Sequence, residues 1–113
     1  MDRDYKVLGQ AFPAANTDTT LFTVNTGKSA VVSYFTATNQ SKNGDPVEIN
    51  VAVVPAGETL SAKHYIAFGV LVDVRETIPI PTGMGLAAGT KVVVRTSAAT
   101  VSFTASGVES TVA

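Results

Sequence analysis

In Pro46-Val47-Glu48-Ile49-Asn50-Val51-Ala52-Val53-Val54, the apolar residues Val47, Ile49, Val51 and Val53 recur at every second position, with Glu48 and Asn50 between them. A period of two puts one set of side chains on one face of a pleated strand, so this segment predicts a half-buried β-strand. The same period recurs in Val70, Val72 and Val74, with Asp73 and Arg75 turned the other way. It recurs again in Val101, Phe103 and Ala105 against Ser102 and Thr104.

Outward from these three matches, runs rich in Val, Thr, Ala and Ser predict strands over 19–24, 29–38, 46–54, 64–68, 70–78, 90–97 and 100–108. Turn chemistry separates them. Asn25-Thr26-Gly27-Lys28 reads as one turn. Ser41-Lys42-Asn43-Gly44-Asp45-Pro46 predicts an antiparallel hairpin with a loop longer than two residues, and Thr96-Ser97-Ala98-Ala99-Thr100 predicts the last hairpin. Ile78-Pro79-Ile80-Pro81-Thr82-Gly83-Met84-Gly85 holds two prolines within three residues and therefore predicts an extended crossing or edge segment. Glu58–Ala62 is long enough only for a short helical turn. The expected fold is all-β, an antiparallel β-sandwich of jelly-roll or immunoglobulin-like type with no long helix. It is expected to form one domain over residues 1–113, with candidate flexible ends at 1–6 and 109–113.

Composition narrows the function. The 113 residues include no cysteine, which excludes a disulfide scaffold and thiol catalysis. A net charge of −1 with Lys and Arg scattered leaves no basic stripe, so neither nucleic acid nor a membrane surface is an expected partner. No apolar run approaches the ~18 residues of a membrane helix, and no apolar segment of a secretory signal follows Met1-Asp2-Arg3-Asp4. Charged residues make up 15% of the chain, against roughly 25% in an ordinary soluble domain, so the surface is either rich in hydroxyls or partly interface.

Candidate chemistry is sparse. His64 is the single histidine, too few for a transition-metal site, and is expected to be a structural residue bonded to a loop carbonyl. The acidic residues show no catalytic pairing, and Asp18 and Asp45 lack the ligand-rich loop of a calcium site. No nucleophile elbow or phosphate loop is present. The expectation is a chain with no catalytic residue, metal or cofactor. Two binding readings remain. An extended proline-rich edge with unpaired backbone groups at Pro79, Ile80, Pro81 and Met84 is a candidate for adding to a neighbour's sheet. Tyr5, Tyr34 and Tyr65 are candidates for stacking on sugar rings, Tyr34 and Tyr65 above all, against the alternative of core or interface packing with a bonded hydroxyl.

The order of several blocks carries a resemblance across nearly the whole chain. These are Ser29-Ala30-Val31-Val32-Ser33 leading to Asn39-Gln40-Ser41, Val51-Ala52-Val53-Val54-Pro55-Ala56-Gly57, Leu60-Ser61-Ala62-Lys63-His64-Tyr65-Ile66-Ala67, Leu86-Ala87-Ala88-Gly89-Thr90 with Lys91–Arg95, and Ala99-Thr100-Val101-Ser102-Phe103 through Gly107-Val108-Glu109. In this order they resemble a family of small virion structural modules frequent in cyanophage and other tailed-phage genomes. The resemblance implies a component of the capsid surface or tail, symmetric and without a cofactor. The chain departs from that pattern at Val54, where an arginine is frequent, and at Gly69-Val70-Leu71, where a polar residue is usual. The second departure lengthens an apolar stretch and marks a candidate partner surface.

The expected function is therefore that of a phage virion protein, made in the host cytoplasm. The leading form is a capsid decoration or cement protein that binds the major capsid protein, with a homotrimer as the favoured state. The alternatives are a tail, collar or baseplate accessory subunit and a glycan-binding module on the virion surface.

Overall fold

The computed structural model describes residues 3–111. Nine strands run in order: β1 (Arg3–Ala11), β2 (Thr19–Thr23), β3 (Lys28–Asn39), β4 (Val47–Val54), β5 (Tyr65–Val72), β6 (Thr77–Pro79), β7 (Gly85–Leu86), β8 (Lys91–Thr96) and β9 (Val101–Thr111). The single helical element among the described residues is a 3-10 turn at Ala62–His64. One sheet, termed A, has the order β1-β9-β3-β6, with β7 also paired to β3; the other, termed B, has the order β2-β8-β4-β5. All pairings are antiparallel. If β6 and β7 are taken as two pieces of one edge strand, these are the two interleaved four-stranded sheets of a jelly roll, which selects between the two sandwich types expected from the sequence.

The alternation seen in the sequence fills the core. Val47, Ile49 and Val51 of β4 meet Val92 and Val94 of β8 and Val101, Phe103 and Ala105 of β9 in one buried cluster. Asn39 joins the two sheets. It is fully buried at the end of β3, donates from Nδ2 to the Val72 carbonyl of β5 (3.0 Å), and accepts at Oδ1 from the Ser41 amide (3.1 Å) and the Thr100 hydroxyl (2.9 Å). A buried polar side chain with its bonding capacity used in this way fixes the relation of its neighbours.

Several expectations are corrected. The two expected hairpins are crossings between sheets, because β3 and β9 lie in sheet A while β4 and β8 lie in sheet B. Turn residues specify a reversal but not the sheet to which the chain returns. The strand expected over 70–78 ends at Val72. Asp73–Glu76 is a turn in which Arg75 takes φ 60° and the Glu76 carboxylate accepts the Asp73 amide (3.0 Å). The expected break at Gly69 is a bulge inside β5, with φ 66° at the glycine and its amide donated to Asn50 Oδ1 (2.7 Å). Of the candidate flexible ends, residues 3–6 and 109–111 are strand, with Arg3–Lys6 paired to 107–110; positions 1, 2, 112 and 113 lie outside the described residues.

Candidate docking surface

A sheet edge exposes unpaired backbone groups, and each edge here carries something that hinders strand addition. At one end of the sandwich, Gly9 of β1 approaches β2 so closely that a Cβ would lie 2.5 Å from the Leu21 carbonyl oxygen. The remainder of β1 carries Arg3, Asp4 and Lys6, with Lys6 Nζ 2.7 Å from Glu109. At the other end, β5 is bulged, with register shifts between its partners Ile49 and Val51 and again between Val51 and Ala52.

The remaining edge is β6, which ends at Pro79 and leads into Ile80, Pro81 and Met84, the candidate for adding to a neighbour's sheet. The Ile80 amide donates to the Phe35 carbonyl and the Asn39 amide to the Glu76 carbonyl. By alternation, Pro79 and Pro81 occupy the positions whose amides would face away from β3. Those are the donors an added strand would need, and proline has none. Ile80 is only 4% exposed and belongs to the core, while Pro79 and Pro81 are exposed and Met84 caps a narrow apolar cleft between the sheets.

The faces are open where the edges are closed. Strand register lays out the outer face of sheet A as five cross-strand rows: Arg3–Ser110–Ser29, Tyr5–Val108–Val31, Val7–Ser106–Tyr34, Gln10–Thr104–Thr36–Pro79, and Ser102–Thr38–Thr77. Tyr5 is 79% exposed and Tyr34 54%, with Val7 and Val31 also exposed beside them. Arg3, at one end, is the only charged residue in these rows. Asp4, Lys6 and Glu109 fall on the opposite side of the sheet by the same alternation. Of the two foremost tyrosine candidates, Tyr34 lies on sheet A and Tyr65 on sheet B. Tyr65 is half-buried, with its ring 5.0 Å from that of Phe68 in an edge-to-face contact.

A second apolar patch lies on β5, where Phe68 is 71% exposed and Leu71 is also open; Val70 is partly exposed at the sheet edge but pairs with the core residue Ile49 and so falls on the other side of the strand. Two of these three belong to Gly69-Val70-Leu71, the stretch marked in the sequence as a candidate partner surface. Phe68 and Val7 were not among the candidates.

His64 is buried and bonded to a backbone amide, in place of the carbonyl expected. Its Nδ1 accepts from Ser61 N–H (3.0 Å), and Nε2 lies 3.1 Å from Glu58 Oε1, which also meets Lys63 Nζ at 3.1 Å. An Nδ1 that accepts must carry a lone pair, so the hydrogen-bond pattern assigns the proton to Nε2, facing the carboxylate. These side chains rim a shallow groove floored by Val53, Ile66 and Met84. Bonds from His64 and then Lys63 hold the Glu58 carboxyl below its ordinary value of 4.5. A depressed carboxylate contributes stability that is complete above the unfolded value and lost as pH falls through the folded one. The difference in Tm between the native protein and Glu58→Gln is thus expected to be small, constant above about pH 4.5 and to shrink below it; a difference independent of pH would contradict this pairing.

Among the described residues no group of three or more His, Asp or Glu side chains converges as a metal site. Asp18 instead meets Arg95 at 3.4 Å.

The sequence matches no family model and no curated protein. Among solved structures, a chain in the structure of infectious bursal disease virus strain Gx superposes with a TM-score of 0.54 and 13% identity, over 96% of this chain and 30% of that one. Two structures of a pentameric capsid protein isolated from metagenomic phage sequences give TM-scores of 0.38 at 20% identity, over 94% of this chain and 62% and 60% of theirs. The chain thus spans less than a third of the viral chain and under two thirds of the other two. The first likeness is one of fold.

Proposed function

We propose that this protein is a structural component of a phage particle, a decoration or cement protein that binds the assembled shell and stabilises it. The block-by-block sequence resemblance to virion modules supports this reading, as does a jelly-roll fold similar to part of a virus structure. The observation that carries it is the placement of the large exposed apolar residues. Most of them fall in two groups, Tyr5, Val7, Val31 and Tyr34 on sheet A and Phe68 and Leu71 on β5 of sheet B, with Phe12 and Met84 apart from both, in a molecule whose edges are guarded. Two such surfaces let one molecule hold two neighbours at once. A ligand that binds only the assembled state stabilises it by its binding free energy, and multivalent attachment raises effective concentration. Exposed apolar clusters of this kind mark contact sites on proteins of modest size.

The test is co-sedimentation of purified protein with particles from which it has been removed. Saturable binding to shells, and none to unassembled capsid subunits, is the expected result. Recovery with separated tails would instead assign it to a tail, collar or baseplate. Binding to neither, with retention on a glycan array, would overturn the structural reading.

A further inference from the structure

We propose that a notch at one end of sheet A is a binding site for a neutral sugar, with Phe12 as the ring on which the sugar stacks. The notch follows from unequal strand lengths. The pairing of β1 with β9 stops at Ala11 opposite Phe103, whereas β3 continues beside β9 as far as Asn39 opposite Val101. Where β1 departs, a step is left. It is an open concavity of about 490 Å³, floored by β9 from Ser102 to Thr104 and walled by Gln10 and Phe12 on one side and Gln40 on the other. That volume falls within the roughly 300–1,000 Å³ of small-molecule sites.

Both walls are anchored. Phe12 is 55% exposed, while Pro13 beside it is buried. A residue before proline is confined to extended backbone, so the buried proline fixes the chain that carries the ring. Gln40 donates its amide to the Thr100 carbonyl (2.8 Å) and follows Asn39, whose side chain is bonded to three groups. Little backbone order therefore remains to be lost on binding.

The chemistry of the notch selects the ligand. A pyranose has a face of C–H bonds and a rim of hydroxyls that both donate and accept. Against the face the notch sets an exposed aromatic ring. Against the rim it sets the amides of Gln10 and Gln40 and the hydroxyls of Ser102 and Thr104, all of which can donate and accept. Both amides are exposed and both hydroxyls half-buried. The contact between Gln10 Nε2 and Thr104 Oγ1 is long, at 3.5 Å, so these groups keep capacity for a ligand.

Other occupants fit less well. Among the described residues no Lys, Arg, Asp or Glu lines the notch, so a phosphate, a nucleotide or an acidic sugar finds no counter-charge there. An added strand would meet only Val101 and Ser102 of β9 beyond the end of β1, too short a run to pair. One ring and four polar groups support a weak site, of millimolar Kd, which many copies on one particle would multiply. Phe12 stands apart from Phe68 and Leu71, so sugar binding adds to the virion reading and does not depend on it.

The experiment uses the full chain without particles. Maltotriose, cellotriose and triacetylchitotriose are titrated to roughly 20 mM, well above a millimolar Kd, in ¹H–¹⁵N correlation spectra, with sialyllactose as the acidic comparison. At least one neutral trisaccharide is expected to cause saturable shifts centred on Phe12, Gln40 and Ser102. Phe12→Ala is expected to weaken that binding by about tenfold or more, and Phe12→Tyr to retain it. Gln40→Ala is expected to weaken it with the remaining spectrum unchanged. Phe68→Asp, the variant expected to fail on shells, is expected to bind the sugar as the native protein does, which separates this site from the virion reading. No saturable shift with any of the three, shifts centred elsewhere, tighter binding of sialyllactose, or native affinity in both Phe12→Ala and Gln40→Ala would overturn the proposal.

Discussion

Asn39→Ala is expected to destabilise the protein by roughly 2–4 kcal/mol, the largest loss from any single polar truncation in the molecule. The side chain is fully buried and answers three groups from three places: the Val72 carbonyl on sheet B, the Ser41 amide at the start of the crossing to β4, and the Thr100 hydroxyl in the turn before β9. Truncation leaves all three buried or half-buried without a partner. An unmet buried group costs about 1–3 kcal/mol, against about 1 kcal/mol gained from an ordinary hydrogen bond. In a domain of this size a loss of that order lowers Tm by more than about 10 °C. Denaturant titration reads it directly, and a change below about 1 kcal/mol would mean that water reaches these groups and that Asn39 does not join the sheets. Thr100→Val removes one of the three partners and is expected to cost less.

Asn39 also marks how far the residues alone were readable. The alternation of Val47, Ile49, Val51 and of Val101, Phe103, Ala105 was enough for the strands and their buried faces, because burial on one face follows directly from a period of two. The pairing of strands was not legible. Asn43-Gly44 and the Thr96–Thr100 turn each reverse the chain, yet in a jelly roll most connections leave one sheet for the other, and nothing local distinguishes a crossing from a hairpin. The first strand was missed because Asp4 and Lys6 alternate with Tyr5 and Val7 on a segment exposed on both faces, which reads as a polar end. Bulges hid the rest. The irregularity at Ser33 shifts the phase of β3 and leaves Tyr34 outside with Phe35 inside, and the bulge at Gly69 resembles a break in the sequence. The adjacency of Tyr34 and Phe35 did hold the signal that one of them must face outward.

The docking surface followed the same division. Gly69-Val70-Leu71 was visible as an apolar stretch that departs from the resembled pattern. The free outward positions of Pro79 and Pro81, by contrast, required the hydrogen bonds of Ile80 and Asn39 before those prolines could be understood as protection of an edge.

Phe68→Asp is expected to abolish most binding to shells while leaving the fold intact. At 71% exposed, the ring has little to lose within the monomer, its edge contact with Tyr65 aside. Aromatic residues that enter a partner's pocket typically contribute about 2 kcal/mol or more, equivalent to about 30-fold in affinity. Placing a carboxylate there also buries an unpaired charge. In the co-sedimentation assay the variant is therefore expected to need at least about 30-fold more protein for half-saturation. Leu71→Asp, on the same strand, is expected to act in the same direction. Unchanged binding by both, with a Tyr34→Asp variant defective, would move the shell contact from β5 to sheet A.

The measurement that bears most directly on the cement reading is the temperature at which particles release their genome, compared between shells stripped of this protein and the same shells after the purified protein is added back. Re-addition is expected to raise the release temperature, and to raise it less for Phe68→Asp at equal concentration. Equal release temperatures for stripped and fully re-decorated shells would contradict a stabilising role.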